Sequence, residues 1–269
     1  MSKEFNFKNK DGHIHTQYCP HGSKDNMEEY VEEVMKCGLD EMSFTEHLPL
    51  PKNFEDPSPL KDSAMGIERI EEYLKEGQVL REKYKDKIKI NIGVEVDYIE
   101  GYEEEIKELL NKYGTFLSDG ILSVHMIKGN KRYYCIDFSV EEFGKIIDDL
   151  GSIDEVYNKY YDTLIMALES DLGTYKPKRI GHLNLVRKFN KEVPYNYEKH
   201  LPKIEKILNI IKEKGYELDF NIAGLRKEEC GELYIEGKVL DMAIEKEIPM
   251  VLGSDSHSSK YIKCLKEFL

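Results

Sequence analysis

No stretch of the sequence is apolar for long enough to cross a bilayer. The longest uninterrupted apolar run, Leu164 to Leu168, falls far short of the roughly 20 residues a spanning helix needs. Met1-Ser2-Lys3-Glu4 leads into no apolar signal segment, so a soluble, cytoplasmic protein without a membrane partner is expected. Cysteine is sparse and unpatterned. Cys19, Cys37, Cys135, Cys230 and Cys264 are odd in number and none stand in Cys-x-x-Cys spacing, which argues against a disulfide framework or a cysteine-rich zinc knuckle. Basic charge is in deficit: 39 Lys and Arg face 52 Asp and Glu, a formal −13. That balance disfavours nucleic acid and anionic membranes as partners, and taken alone it also disfavours a phosphorylated substrate. There is no repeat of about 20–50 residues, no low-complexity tract and no Gly/Ser linker, so residues 1–269 read as one domain. The sequence is silent on oligomeric state.

What the chain does have is core-forming material, 40% hydrophobic residues, laid out in alternating periods. Apolar residues recur at three-and-four spacing in Met27, Tyr30, Val31, Val34; in Ile67, Ile70, Tyr73, Leu74, Leu80; in Ile106, Leu109, Leu110; in Ile204, Ile207, Leu208, Ile211; and in Val239, Leu240, Ala243, Ile244. Pro202 and Gly215 bracket the fourth of these helices. Short β-like runs lie between them, at 12–15, 41–45, 88–96, 120–124, 179–183, 217–222 and 250–252. Strand followed by helix, about seven times over, predicts a parallel α/β barrel in preference to a doubly wound sheet. Leu48 to Gly66 differs in texture, carrying Pro49, Pro51, Pro57 and Pro59. It is longer than an ordinary strand-to-helix connection and is a candidate lid.

The chemistry lies in the histidines. Seven of the eight, His13, His15, His21, His47, His125, His182 and His257, stand at the C-terminal ends of these runs or just beyond, whereas His200 falls in an amphipathic helix. Acids recur beside them: Glu46, Glu95, Asp97 and Asp255. The i, i+2 spacing of His13/His15, Glu95/Asp97 and Asp255/His257 puts each pair on one face of its strand. In a parallel barrel that face can look into the mouth where catalytic groups converge. Imidazole with carboxylate suits Zn, Fe or Mn. One strand-end histidine is more often a hydrogen-bonded structural residue than a ligand, but seven at equivalent positions are hard to explain that way. Glu46 is better suited to orienting a ligand histidine than to binding metal. Asp97 fits either role, and Cys19 beside Pro20 fits packing.

These residues resemble the polymerase and histidinol phosphatase (PHP) superfamily of metal-dependent phosphoesterases. The likeness is carried by Asp11-Gly12-His13-Ile14-His15-Thr16, Cys19-Pro20-His21-Gly22, Thr45-Glu46-His47, Gly93-Val94-Glu95-Val96-Asp97-Tyr98, Ser123-Val124-His125, Gly181-His182-Leu183, Asn221 to Lys227 and Gly253-Ser254-Asp255-Ser256-His257. Within the superfamily it is similar to the stand-alone histidinol-phosphate phosphatases. These share Pro-His-Gly where many relatives carry Ser-Asp-Gly. The resemblance implies a distorted, TIM-like (β/α)7 barrel holding three divalent ions. It would place His13, His15, Glu95 and Asp255 on one ion, Glu95 as a bridge to a second ion with His125 and His182, and His21, His47 and His257 on the third.

Such a site would activate water for in-line attack on phosphorus. Asp255 would manage a proton, and a histidine, with His257 the candidate, or a bound water would assist the leaving alkoxide. Arg226 is the expected phosphate clamp, with Arg187 second. The leading expectation is a phosphomonoesterase acting on L-histidinol phosphate in histidine biosynthesis. The alternatives are a phosphodiesterase or nuclease using the same metals, and a non-catalytic metal-binding protein. Three divalent ions on uncharged imidazoles, offset by Glu95 and Asp255, would make the mouth locally cationic despite the −13 of the whole chain. A small phosphate ester is then compatible with the charge.

Overall fold

The structure, a computed structural model, describes Phe7 and residues 9–268. Nine strands occur among these residues: β1 (Lys10–Ile14), β2 (Glu41–His47), β3 (Lys89–Asp97), β4 (Asp119–Ser123), β5 (Met126–Lys128), β6 (Tyr133–Cys135), β7 (Arg179–Ile180), β8 (Glu217–Asn221) and β9 (Met250–Gly253). The α-helices are α1 (Met27–Lys36), α2 (Ile70–Tyr84), α3 (Glu103–Tyr113), α4 (Val140–Leu150), α5 (Ile153–Glu169), α6 (Leu201–Glu213) and α7 (Gly237–Glu245). Seven strands form one parallel sheet in the order β1-β2-β3-β4-β7-β8-β9, and β5 with β6 forms a separate antiparallel hairpin. The sheet curls until β9 meets β1, where Ile14 bridges Ser256 in parallel. This is the distorted seven-stranded α/β barrel.

Alternation along the strands sorts the residues into two layers. In β3, Ile90, Ile92, Val94 and Val96 are buried on the helix side, and Ile92 packs against Gly77 of α2. Asn91, Gly93, Glu95 and Asp97 take the intervening positions, on the inner face. The helices start where local chemistry dictates. Asn26 and Glu29 form a capping box on α1, Ser139 and Ser152 cap α4 and α5, and Pro202 opens α6. Gly151 takes φ 91° to end α4, a conformation that only glycine adopts without strain.

Three local expectations change. Helices α4 and α5, with the β5–β6 hairpin, fill the long connection between β4 and β7 and were not among the periodic segments. Their buried residues include four tyrosines, Tyr157, Tyr160 and Tyr161 in α5 and Tyr134 in β6, which read as neither period. The run at 179–183 pairs as strand only at Arg179–Ile180. His200 ends a short 3-10 turn ahead of α6, where its Nε2 lies 2.9 Å from Asp154.

The end of the barrel opposite the histidines is closed by charge. Asp119 accepts from Lys10 at 2.8 Å and from Arg179 at 3.0 Å, and Arg179 also donates to the carbonyl of Gly12 at 2.9 Å. Burial alone would raise the Asp119 carboxyl, but Arg179 and Lys10 outweigh it and lower it from 3.8 to about 2. A depressed folded-state value contributes stability above the unfolded pKa, and that contribution is lost as pH falls towards 2. Asp119→Asn should therefore cost about 2 kcal/mol at pH 7. In urea titrations the gap between the two proteins should close from about pH 4 down to 2; equal midpoints at pH 7 would count against the ion plug.

Candidate metal centre

The C-terminal ends of the strands converge on Glu95. Its Oε2 lies 3.4 Å from His13 Nε2, 3.3 Å from His15 Nε2 and 3.3 Å from His47 Nδ1. Its Oε1 lies 3.1 Å from His182 Nε2 and 3.8 Å from His125 Nε2, and accepts from Ser123 Oγ at 2.6 Å. One buried carboxylate thus turns its two oxygens towards two different sets of imidazoles. Asp255 joins the first set, with Oδ1 3.5 Å from His15 Nε2 and 3.9 Å from His13 Nε2. Its backbone is left-handed at φ 49°, which costs a non-glycine residue about 1 kcal/mol. A third set lies at the rim, where His21 Nε2 and His257 Nε2 are 3.1 Å apart.

Space for this convergence comes from glycines in the strand ends. A Cβ at Gly181 would lie 2.1 Å from Ser123 Oγ, displacing the hydroxyl that holds Glu95. One at Gly253 would lie 2.3 Å from Asp219 Oδ1 and 2.8 Å from His13 Cβ.

The outer nitrogens of four rings are occupied. His13 Nδ1 lies 2.7 Å from Asp219, His15 Nδ1 3.3 Å from Glu46, His125 Nδ1 2.5 Å from Asp97 and His21 Nδ1 2.7 Å from the carbonyl of Asp62. Carboxylates and carbonyls only accept, so each Nδ1 carries a hydrogen, and each ring in its neutral form presents its lone pair at Nε2. Two such lone pairs face each other across 3.1 Å at His13/His15, and again at His21/His257. That spacing is repulsive between neutral rings. It is close to the edge of about 3.4 Å between two ligands of a tetrahedral ion with bonds of about 2.1 Å. The donor set therefore fits divalent transition metals.

Charge agrees with this. Burial disfavours a charged ring at His13, but Asp219, Glu95 and Asp255 hold its pKa well above the usual range. Against the same burial, Glu46 and Glu95 raise His15 to about 9, and Asp97 with Glu95 raises His125 to about 10. Burial and the neighbouring His15 hold His47 and His257 well below it. The carboxylates thus favour more positive charge than the crowded rings can carry as protons.

Three compact donor groups result: His13, His15 and Glu95; His47, Glu95 and His125; and His15, Cys19, His47 and His257. His47, expected with His21 and His257, also reaches Glu95. Cys19, expected as packing, sits within 4.8 Å of three imidazoles, and burial with Glu46 pushes its thiol well above the usual range. Glu46 accepts from Thr16 N at 2.8 Å as well as facing His15, and Asp97 faces His125, so both orient rings.

The expected phosphate clamps lie elsewhere. Neither Arg226 nor Arg187 lines the cavity of about 320 Å³ above the cluster. Arg226 donates to the carbonyls of Ser254 at 2.7 Å and Asp255 at 3.2 Å, which holds the loop after β9. Arg187 binds both oxygens of Glu232 and stacks over Tyr197, so its fork is already filled. The cavity's cations are Lys188 and Lys227. Lys188 is held by Asp137, through its carbonyl at 2.6 Å and its carboxylate at 2.9 Å. The Lys227 ammonium has no hydrogen-bond partner among the described residues, and burial with the nearby Lys188 charge lowers its pKa. Sequence reasoning passed over Lys188, Lys227 and Asp219. Asp219 and Asn221 carry the same i, i+2 spacing as the other pairs and were findable by it; no local pattern marks the lysines.

A family profile for the PHP domain matches residues 11–223. The chain is 46% identical over 251 residues to the histidinol-phosphatase of Bacillus subtilis, covering 93% of this chain and 94% of that one. Among solved structures it is similar to a candidate histidinol phosphatase of Listeria monocytogenes, with a TM-score of 0.90 and 37% identity over 94% of this chain and 97% of the other. A histidinol phosphate phosphatase of Lactococcus lactis, solved with zinc, L-histidinol and phosphate, shares the fold, with a TM-score of 0.70 and 20% identity over 97% and 92% of the two chains.

Asp219 offers a check on the metal assignment that does not depend on activity. Asp219→Asn keeps the shape but removes the charge that fixes the His13 tautomer. Competition with a chelating dye should then show one ion bound about 10–100-fold more weakly; unchanged affinity for every ion would exclude His13 from the metal set.

Proposed function

Since the chain belongs to the PHP domain family, we propose that it is a metal-dependent phosphomonoesterase that hydrolyses L-histidinol phosphate to L-histidinol and phosphate. The observation that carries this is the 46% identity, over nearly the full length of both chains, to a histidinol-phosphatase. The donor-lined cavity supports it independently. At about 320 Å³ it is in the range for a small ligand. The Lactococcus lactis relative binds zinc together with both products of this reaction.

In this reading three divalent ions are held by His13, His15, Glu95 and Asp255, by Glu95 with His125 and His182, and by His21, His47 and His257. Such ions supply positive charge to the phosphoryl oxygens and acidity to water. Asp219, Glu46 and Asp97 keep the Nδ1 protons in place, so that the Nε2 lone pairs of His13, His15 and His125 stay directed inward. Asn221 donates to Asp255 Oδ2 at 3.1 Å and leaves Oδ1 on the cluster side to take a proton from the attacking water. His257, a quarter exposed, would complete the third ion's ligand set at the rim, and a water in the cavity would give its proton to the departing alkoxide. Lys227 gives its ammonium to a phosphoryl oxygen and Lys188 supports it, the role first expected of Arg226 and Arg187.

A phosphate-release screen comparing histidinol phosphate with other small monoesters, a mononucleotide and a phosphodiester tests the substrate. Histidinol phosphate should give the highest kcat/KM, and chelation should abolish turnover; a preference for the diester would reject this function. Lys227→Ala should lower kcat/KM about 10–100-fold and Arg187→Ala much less, and the reverse ranking would return the clamp to the arginines.

A further inference from the structure

The cavity has five acidic residues in its wall: Asp62, Glu95, Asp97, Asp137 and Asp255. Four are committed. Glu95, Asp97 and Asp255 face the imidazoles, and Asp137 holds Lys188. Asp62 stands apart. Among the described residues its carboxylate meets only the Ser58 hydroxyl, at 3.5 Å, and no cation. It belongs to the long loop after β2, which also brings Leu60 and Ser63 to the cavity. Asp56 shapes that loop by accepting from Ser58 N at 2.8 Å and from Ser63 N at 3.0 Å. The loop is pinned to the rim because His21 Nδ1 donates to the Asp62 carbonyl at 2.7 Å.

We infer that Asp62 is the specificity residue that pairs with the substrate's α-ammonium group. This rests on the function proposed above and extends it to the part of the substrate that does not react. The cavity is polarised, with Lys188 and Lys227 available to a phosphate and Asp62 as the acid left over for a cation. In histidinol phosphate the amine is on the carbon next to the ester methylene, so it cannot lie far from the phosphoryl group. Asp62 is tied through its own carbonyl to His21 of the cluster and lines the same cavity as the imidazoles. The imidazole lies further from phosphorus and has apolar walls available in Leu60, Phe138 and Leu185.

The test compares histidinol phosphate with its deaminated ester, 3-(imidazolyl)propyl phosphate, on the metal-loaded wild type, Asp62→Asn and Asp62→Glu. Asp62→Asn should lower the ratio of the two kcat/KM values about tenfold, the scale of one charge-assisted hydrogen bond. The loss should appear in KM for the aminated ester, because the pairing is the same in ground and transition states. Asp62→Glu should restore part of the ratio, and metal content should match the wild type in both variants. A wild-type preference for the amine that persists in Asp62→Asn overturns this inference alone. A wild type that turns over both esters equally likewise overturns this inference alone, whereas one that hydrolyses neither ester overturns the functional reading and this inference with it.

Discussion

Strands β1 and β9 come from distant parts of the chain and are joined at the mouth of the barrel. His15 N donates to Ser256 O at 3.0 Å and Asp255 N to His13 O at 2.8 Å. Beneath these bonds Ser254 donates to the buried Asp11 carboxylate through both its backbone and its hydroxyl, across 243 residues of sequence. Burial raises that carboxyl to about 6 even against these hydrogen bonds. The seam brings the His13/His15 pair against Asp255 and His257. Because all seven strands run the same way, it closes the ring at the end where every strand delivers its last residues. The donor cluster depends on that closure: without it the outermost strands would carry their ligands to opposite edges of an open sheet.

Inside the ring the chemistry is layered. Asp119 pairs with both Lys10 and Arg179 at the far end, where Glu41 also meets Lys10, glycines leave room in the strand ends, and imidazoles and carboxylates occupy the mouth. Charge in the mouth is more balanced than a count of Glu95 and Asp255 suggests. Asp219, Glu46 and Asp97 are also buried against the rings, so five carboxylates face the proposed ions. Lys227 and the Lys188–Asp137 pair keep the cavity receptive to a dianion. The overall −13 still works against long polyanions, which would have to lie across the outer surface.

The cavity walls come from segments outside the barrel repeat. The β5–β6 hairpin and the turn after it supply Cys135, Asp137 and Phe138, and the loop after β2 supplies Leu60, Asp62 and Ser63. The donor cluster is thus a property of the strand ends, and the outer wall of the cavity a property of the connections. The two can vary separately.

The sequence by itself determined the barrel and which imidazoles and carboxylates stand at its strand ends. A two-residue period that places His13 with His15, Glu95 with Asp97 and Asp255 with His257 on shared faces is local, and local patterns are legible in a linear string. Only the tertiary structure decided which atoms meet. Glu95 divides its two oxygens between two sets of rings because β3 lies between β2 and β4. Arg226 and Arg187 look like phosphate ligands by residue type, yet the Glu232 carboxylate fills the Arg187 fork, and Arg226 turns one arm, Nη2, to the carbonyls after β9 outside the cavity wall. Lys227 and Asp62 carry no local signature, since being left without a charged partner is a property of the folded surroundings. A charge becomes available to a ligand only when the fold has given every neighbouring charge somewhere else to go.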